Sequence, residues 1–391
     1  MLKYLSANYI LPITSMPIKD GIIAVDEEGV IQGIYDPTSF TPTDKINIEK
    51  YEGVIIPGFI NAHCHIELSH MKGAVPTGTG LPSFLSKVMT SRAASMKKMD
   101  DAMARADKEM YENGIVAVGD HANTDNSSKL KEDSKILYHT FVEVIGIEPD
   151  EADFKLKEAK LLTQEFRNGH VSMTPHAPYS CSKVLFKKFK KLVSDTNIIS
   201  IHNQESEEEN KLFRYKMGAF LNFYESIGKS ADSIKAQARN SIQSYLPYLP
   251  YPNKLILVHN TYTSLKDLDF VERMDRDVVW CLCPKANLYI EGTLPKIQNF
   301  VNAGQPLVIG TDSLASNDTL SILEELKVLH KHFEDLDFLQ TIQWATINGA
   351  VALNIQDEFG SLEIGKKPGV VLLQGMEHMR LTDHVKVKRL I

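Results

Sequence analysis

The sequence predicts an α/β protein: a (β/α)8 barrel of the TIM type over residues 58–357, with a small β-sandwich domain built from residues 1–57 and 358–391. Three observations carry this prediction. Short apolar runs alternate with amphipathic stretches through the middle of the chain, and repeated strand–helix alternation builds a parallel sheet. Eight such units in about 300 residues fit a closed barrel. Short β-branched runs bounded by turn residues occupy both ends, so two terminal pieces can share one β domain.

The elements run in order along the chain. Gly21–Asp26, Gly29–Tyr35 and Gly53–Ile56 read as short strands, and Pro57-Gly58 punctuates the segment. The barrel strands are then Phe59–His63, Ile115–Gly119, Tyr138–Val144, His170–Thr174, Ile198–His202, Leu255–His259, Val278–Cys283 and Pro306–Gly310. Helical periodicity covers 82–113, 151–168, 183–195, 209–245, 264–275 and 319–334. The stretch 205–246 is longer than one crossover needs, which places extra helices over the barrel mouth. From Phe359 the chain returns to β character through Gly365, Pro368-Gly369 and Val370–Leu373. A doubly wound sheet is the alternative, but it would carry a Gly-rich phosphate loop after its first strand, and none is present.

Composition narrows the function classes. Hydrophobic residues make up 43% and charged residues 24%, as in a soluble protein with a real core. A net charge of −7 argues against a phosphate-tracking nucleic-acid binder. No run reaches the ~18 apolar residues of a membrane span. Lys3, Ser6, Asn8, Pro12 and Pro17 break up the start, which is not a signal peptide, so a cytoplasmic protein without a membrane partner is expected. Cys64, Cys181, Cys281 and Cys283 are too few and scattered for a disulfide scaffold and are expected as reduced thiols. Cys281-x-Cys283 has no second pair and is a weak metal signal.

Barrel enzymes place their chemistry at the C-terminal ends of strands. Strand one ends in His63-Cys-His65, strand five in His202, strand six in His259, and Asp312 follows strand eight. His176 follows strand four, and Asp120-His121 follows strand two. In an HxH unit on a strand both imidazoles point to one side. A third His and a carboxylate from other strands complete an N3O set that suits zinc. A divalent ion bound there lowers the pKa of its water to about 7. Alone, HxH on a buried strand is as readily packing, and Asp312 as readily a turn or helix cap. The constellation favours one divalent metal ion held by His63, His65, His202 and Asp312. Glu205, three residues after His202, reads as a proton-transfer group, whereas Glu207 to Glu209 read as a solvated face.

These motifs resemble the amidohydrolase superfamily, in its cytosine/adenosine/guanine deaminase and chlorohydrolase-like branch. The matching segments are Pro57-Gly-Phe-Ile-Asn-Ala-His63-Cys-His65, His176-Ala-Pro-Tyr-Ser180, His202-Asn-Gln-Glu205, Val258-His259-Asn260, Gly310-Thr-Asp312-Ser-Leu-Ala-Ser-Asn317 and Gly360-Ser-Leu-Glu-Ile-Gly365. The resemblance implies a barrel with a terminal β-sandwich and one ion, zinc or sometimes iron, on the four residues named. It implies that Glu205 passes a proton to a ring nitrogen, that His259 or Asp312 takes the water proton, and that His176 contacts the substrate. Binuclear relatives carry a Lys or Glu at the end of strand four. His170-Val-Ser-Met-Thr174 has neither, which implies a single ion. Lys367-Pro368-Gly369 departs from the Ala-Asp common in relatives and bears on the sandwich alone.

The expected activity is hydrolytic release of ammonia from an aminated heterocycle. Ile66-Glu67-Leu68-Ser69 resembles the segment of aminodeoxyfutalosine deaminases, which favours an adenine-type nucleoside. Glu67, Trp280, Phe84 and Glu143 are candidate pocket residues. A cyclic amide or imidazolone hydrolase, or a chlorohydrolase-like enzyme, is the alternative. A non-catalytic interaction protein is disfavoured, because such relatives lose ligands that are all present here. Relatives are often homodimers.

Overall fold

A computed structural model describes residues 2–40 and 47–391, so part of the predicted N-terminal β region, residues 41–46, lies outside the described residues. Strands β1 (Lys3–Ile10), β2 (Ile18–Lys19), β3 (Ile22–Val25), β4 (Ile31–Tyr35) and β5 (Ile48–Pro57) come first. The middle carries β6 (Phe59–Cys64), β7 (Ile115–Ala122), β8 (Leu137–Val144), β9 (His170–Pro175), β10 (Ile199–Asn203), β11 (Leu255–His259), β12 (Val278–Leu282) and β13 (Leu307–Ile309). The chain closes with β14 (Val370–Gln374) and β15 (Lys386–Arg389).

Both ends of the chain contribute to one seven-stranded sheet, ordered β15-β14-β5-β1-β3-β4 with β2 on β1. The join is β14 against β5, Leu372 opposite Ile55. The strands nearest the two chain ends, β1 and β15, are not evident as strands in the sequence, because Lys3, Asn8 and the Lys386–Arg389 run dilute their apolar pattern.

The eight middle strands are parallel and form two arcs, β6-β7-β8-β9 and β10-β11-β12-β13. The arcs meet at both ends. Thr311 N donates to His63 O at 2.9 Å, and Cys64 bridges Asp312 in parallel. At the other junction His202 N donates to His176 O at 3.0 Å, and Ser200 N to Thr174 Oγ1 at 3.1 Å. Residues of β10, β11 and β12 are buried on both faces, which is why these strands read as continuous apolar runs.

The helices cover the arcs. The expected single stretch 82–113 is two helices, Leu81–Ser91 and Met96–Glu112, because Ser95 caps the second by accepting from Lys98 N at 3.3 Å. The long 205–246 segment resolves into Glu207–Tyr215, Ala219–Ser226 and Ser241–Tyr245. Within the first of these, Glu209 is buried, unlike Glu207 and Glu208, which corrects the reading of 207–209 as a solvated face. Its carboxylate accepts from Gln204 N at 3.0 Å and from Ser241 Oγ, so it anchors the turn after β10. All four cysteines are buried and free. Among the described residues no helix is long and apolar enough to cross a membrane.

Candidate active site

The C-terminal ends of the parallel strands surround a cavity of about 250 Å³. His65, Glu67, His176, His202, Glu205, His259 and Asp312 line it, with His121 and Glu143. Its apolar wall comes from two helices, Leu81–Ser91 through Phe84 and Val88, and Ala219–Ser226 through Phe223.

Side chains converge at its floor. His65 Nε2 lies 3.1 Å from His202 Nε2. Asp312 Oδ1 lies 3.7 Å from Nε2 of both His63 and His65. A tetrahedral ion at ordinary Zn–N lengths sets its ligand atoms about 3.3 Å apart, close to these separations. His63 is fully buried, yet neither ring nitrogen has a hydrogen-bond partner in the protein, an arrangement that normally costs free energy. Burial holds the His63 and His65 rings well below the usual imidazole range, so they are neutral donors. His202 donates its Nδ1–H to the His176 main-chain oxygen at 2.7 Å, which leaves the Nε2 lone pair facing the cluster. This donor set fits a divalent metal ion.

His121 also stands in the cluster, with a ligand atom within 4.8 Å of those of His63, His65 and His202. Its nitrogens are already engaged, Nδ1 with Glu143 Oε1 at 3.0 Å and Nε2 with Ser200 Oγ at 2.8 Å. Asp312 keeps Oδ1 free of such partners, while its Oδ2 accepts from Ser316 Oγ at 2.5 Å. Glu143, His176 and His202 form a second trio, but Nδ1 of His176 is tied to Ser180 Oγ at 2.8 Å and Nδ1 of His202 to the carbonyl just named. Burial pushes the Glu143 carboxyl up, but the facing His176, His65 and His202 outweigh it, so Glu143 is held below the usual carboxylate range.

Glu205 and His259, the residues expected to handle protons, lie beside the cluster, the His259 ring centroid 5.4 Å from that of His202. Glu205 Oε2 is 3.7 Å from His259 Nε2. Burial, with Asp312, Glu291 and Glu209 adding to it, pushes the Glu205 carboxyl well above the usual range. His259 faces Asn287 Oδ1 at 3.0 Å through Nδ1, and burial brings its ring down to about 3. His176 is likewise brought down by burial, to about 4.

Backbone strain marks the same strand ends. Gln204, His259, Asn260 and Asp312 all have positive φ, between 46° and 75°. Each costs of order 1–3 kcal/mol and persists only where the surroundings over-determine it. Gly310 is required for packing, since a Cβ there would sit 2.7 Å from His63 Cβ.

Trp280 is not brought to the site. Its ring is fully buried against Phe300 at 5.2 Å between centroids, and its Nε1 donates to Gln305 Oε1 at 2.9 Å. On β12 it packs away from the cavity, so it is a core residue and not the substrate contact expected of it. Glu67 borders the cavity, but Thr124 Oγ1 and Ser127 Oγ donate to its carboxylate at 2.8 and 3.1 Å. Sequence reasoning gives no role to His121, Ser200, Ser316 or Asn287. Only His121 carries a signal, its place after strand two.

Behind Asp312, Asn317 donates to Thr311 O at 2.9 Å and to Glu325 Oε1 at 2.8 Å, and Lys285 N donates to Glu325 Oε2 at 2.8 Å. Burial pushes Glu325 up to about 8 from an ordinary 4.5. A carboxyl raised in the folded state keeps its proton there while the unfolded chain has lost it. Its contribution is therefore full below about 4.5 and lost as pH rises through about 8. The expected loss between pH 5 and 9 is on the order of 4 kcal/mol. Urea unfolding across that range measures it, and Glu325→Gln should flatten the slope. An equal slope in the variant would refute the assignment.

Residues 54–389 match the amidohydrolase family, and the chain belongs to that family. It is therefore a hydrolase of carbon–nitrogen bonds from a metal-dependent family. An adenosine deaminase of Helicobacter pylori is 28% identical over 323 residues, covering 80% of this chain and 77% of its own. The crystal structure of the H. pylori aminofutalosine deaminase with methylthio-coformycin is similar at a TM-score of 0.84 and 22% identity, covering 100% of both chains. An adenosine deaminase from Xanthomonas campestris with bound zinc is similar at a TM-score of 0.72 and 20% identity, covering 98% of this chain and 87% of its own. The two structural likenesses concern the fold.

Proposed function

We propose that the protein is an aminohydrolase of adenine-type nucleosides, exchanging the 6-amino group for oxygen with release of ammonia. The observation that carries this reading is the buried Glu205 beside His259, next to the His63–His65–His202–Asp312 cluster at one apolar-walled cavity. The names of the relatives, an adenosine deaminase and an aminofutalosine deaminase, support the same substrate class. The fold reading goes with it: the two arcs close into one eight-stranded barrel over 58–357, and the terminal pieces form its β-sandwich companion.

His63, His65, His202 and Asp312 hold one ion, zinc by the N3O donor set and by the zinc in the Xanthomonas relative. A divalent ion held there would supply an acidified water at neutral pH. Glu205 donates its proton to the ring nitrogen next to the reacting carbon, which weakens the aromatic π-system at that carbon. His259 Nε2 or Asp312 takes the water proton as the oxygen adds. That proton passes to the departing amino group, the C–N bond breaks with its electron pair going to nitrogen, and ammonia leaves while the added hydroxyl gives its proton back to Glu205 and becomes the ring carbonyl. Electrostatic stabilisation within the buried cluster adds to the rate. His176 orients the ring from one side, its own ring fixed by Ser180.

An ammonia-release screen tests the assignment. Adenosine, 5′-deoxyadenosine and aminofutalosine should turn over at least tenfold faster, in kcat/KM, than guanine, cytosine or pterins, an amount within reach of pocket discrimination. Faster turnover of a non-adenine ring, or ring opening without ammonia, would refute it.

A further inference from the structure

The first ligand of the HxH unit lies inside a strand and the second does not. β6 ends at Cys64, so His65 falls outside the ladder, with φ −130° and ψ 80°. The backbone beyond His65 must therefore fix its ring. The next amide, Ile66 N, opens the short helical turn Ile66–Met71 and donates to Asp120 Oδ1 at 2.8 Å. Asp120 stands on β7, opposite Cys64 in the parallel register.

The other oxygen of Asp120 meets a buried cation. Lys131 Nζ lies 2.7 Å from Asp120 Oδ2, with side-chain exposures of 2% and 0%. Lys131 also donates to Thr140 Oγ1 at 3.1 Å and sits 4.7 Å from the Phe166 ring centroid. Replacing a buried ion pair with apolar residues of like volume is often neutral for stability, so stability alone does not explain this one. Burial pushes the Asp120 carboxyl up, and Lys131 offsets only part of that. A charged acceptor binds an amide more strongly than a neutral one. The segment that carries Lys131 grips the turn a second time, through Thr124 and Ser127 on Glu67.

We infer that the buried Asp120–Lys131 pair is a positioning device for His65, acting through the Ile66 amide. The inference rests on the reading that His65 holds an ion. Neither Asp120 nor Lys131 lines the cavity. They set the geometry of one ligand from behind, as outer-shell partners do at metal sites.

Cobalt(II) loaded into the full-length protein tests this, with affinity from chelator competition and geometry from the visible absorption bands. Asp120→Leu/Lys131→Met removes the charges and leaves the Ile66 amide without an acceptor. It should bind cobalt about 30-fold more weakly, with shifted bands. Asp120→Asn/Lys131→Met keeps an acceptor, a weaker one, and should stay within about fivefold of wild type with bands between the two. Both are compared at matched thermal stability. Wild-type affinity and bands in the Leu/Met protein would overturn the inference while leaving the metal reading intact. A wild-type protein that binds no cobalt, zinc or iron would overturn both. If the Leu/Met protein does not fold, the Asn/Met protein decides: weakening of about two- to fivefold with shifted bands supports the device, and no change in either refutes it.

Discussion

His202→Ala is expected to strip the ion and lower deamination by at least about a thousandfold, because acidification of the attacking water is lost with it. His202 occupies the centre of the cluster. Its Nε2 is 3.1 Å from that of His65, and its Nδ1 is fixed by the His176 carbonyl. Alanine removes one of the four proposed ligands and leaves His63, His65 and Asp312. Metal analysis of the purified protein should give about one equivalent in wild type and less than a tenth of an equivalent in the variant. Dialysis against a chelator should silence wild type, and zinc or iron should restore it but not the variant. A variant with full metal content and activity within tenfold of wild type would remove His202 from the site.

Glu205→Gln is expected to leave metal content unchanged and to lower kcat by about 10²–10⁴, the usual worth of a positioned proton donor. The amide is nearly isosteric and cannot supply a proton. Burial and the Asp312 charge push the native carboxyl up, toward its proton-bearing form. KM should change less than kcat, since proton transfer is made in the transition state. Turnover within tenfold of wild type, with the ion still bound, would show that the ring nitrogen gains its proton elsewhere. The two variants separate binding of the ion from use of the proton.

Much of the site was legible because strand ends are visible in sequence. An apolar run that stops at a His announces where that His stands, and Leu255–His259 is a strand over the same bounds that were expected. The limits are physical too. On a parallel strand buried on both faces, apolarity does not say which face a residue takes, so Trp280 could not be assigned from its run. Glu207, Glu208 and Glu209 share the first turn of one helix, and only the fold decides that Glu209 turns inward. Lys131 is a buried lysine, a rarity that no local pattern signals. His121 stood at a strand end, yet its engagement depends on Glu143 and Ser200 from two other strands. The break in the 82–113 helix was marked by Ser95, whose capping role competes with good helix formers on both sides.

The group that orients His202 is the carbonyl of residue 176, part of the chain itself, while the side chain of residue 176 faces the cavity. Orientation of the ion-facing ring and recognition of the ligand thus issue from one position by two separable routes. Substituting the side chain at 176 can alter what is recognised without touching the bond that holds His202. A variant series at this position can therefore explore new substrates with the metal centre as a constant background.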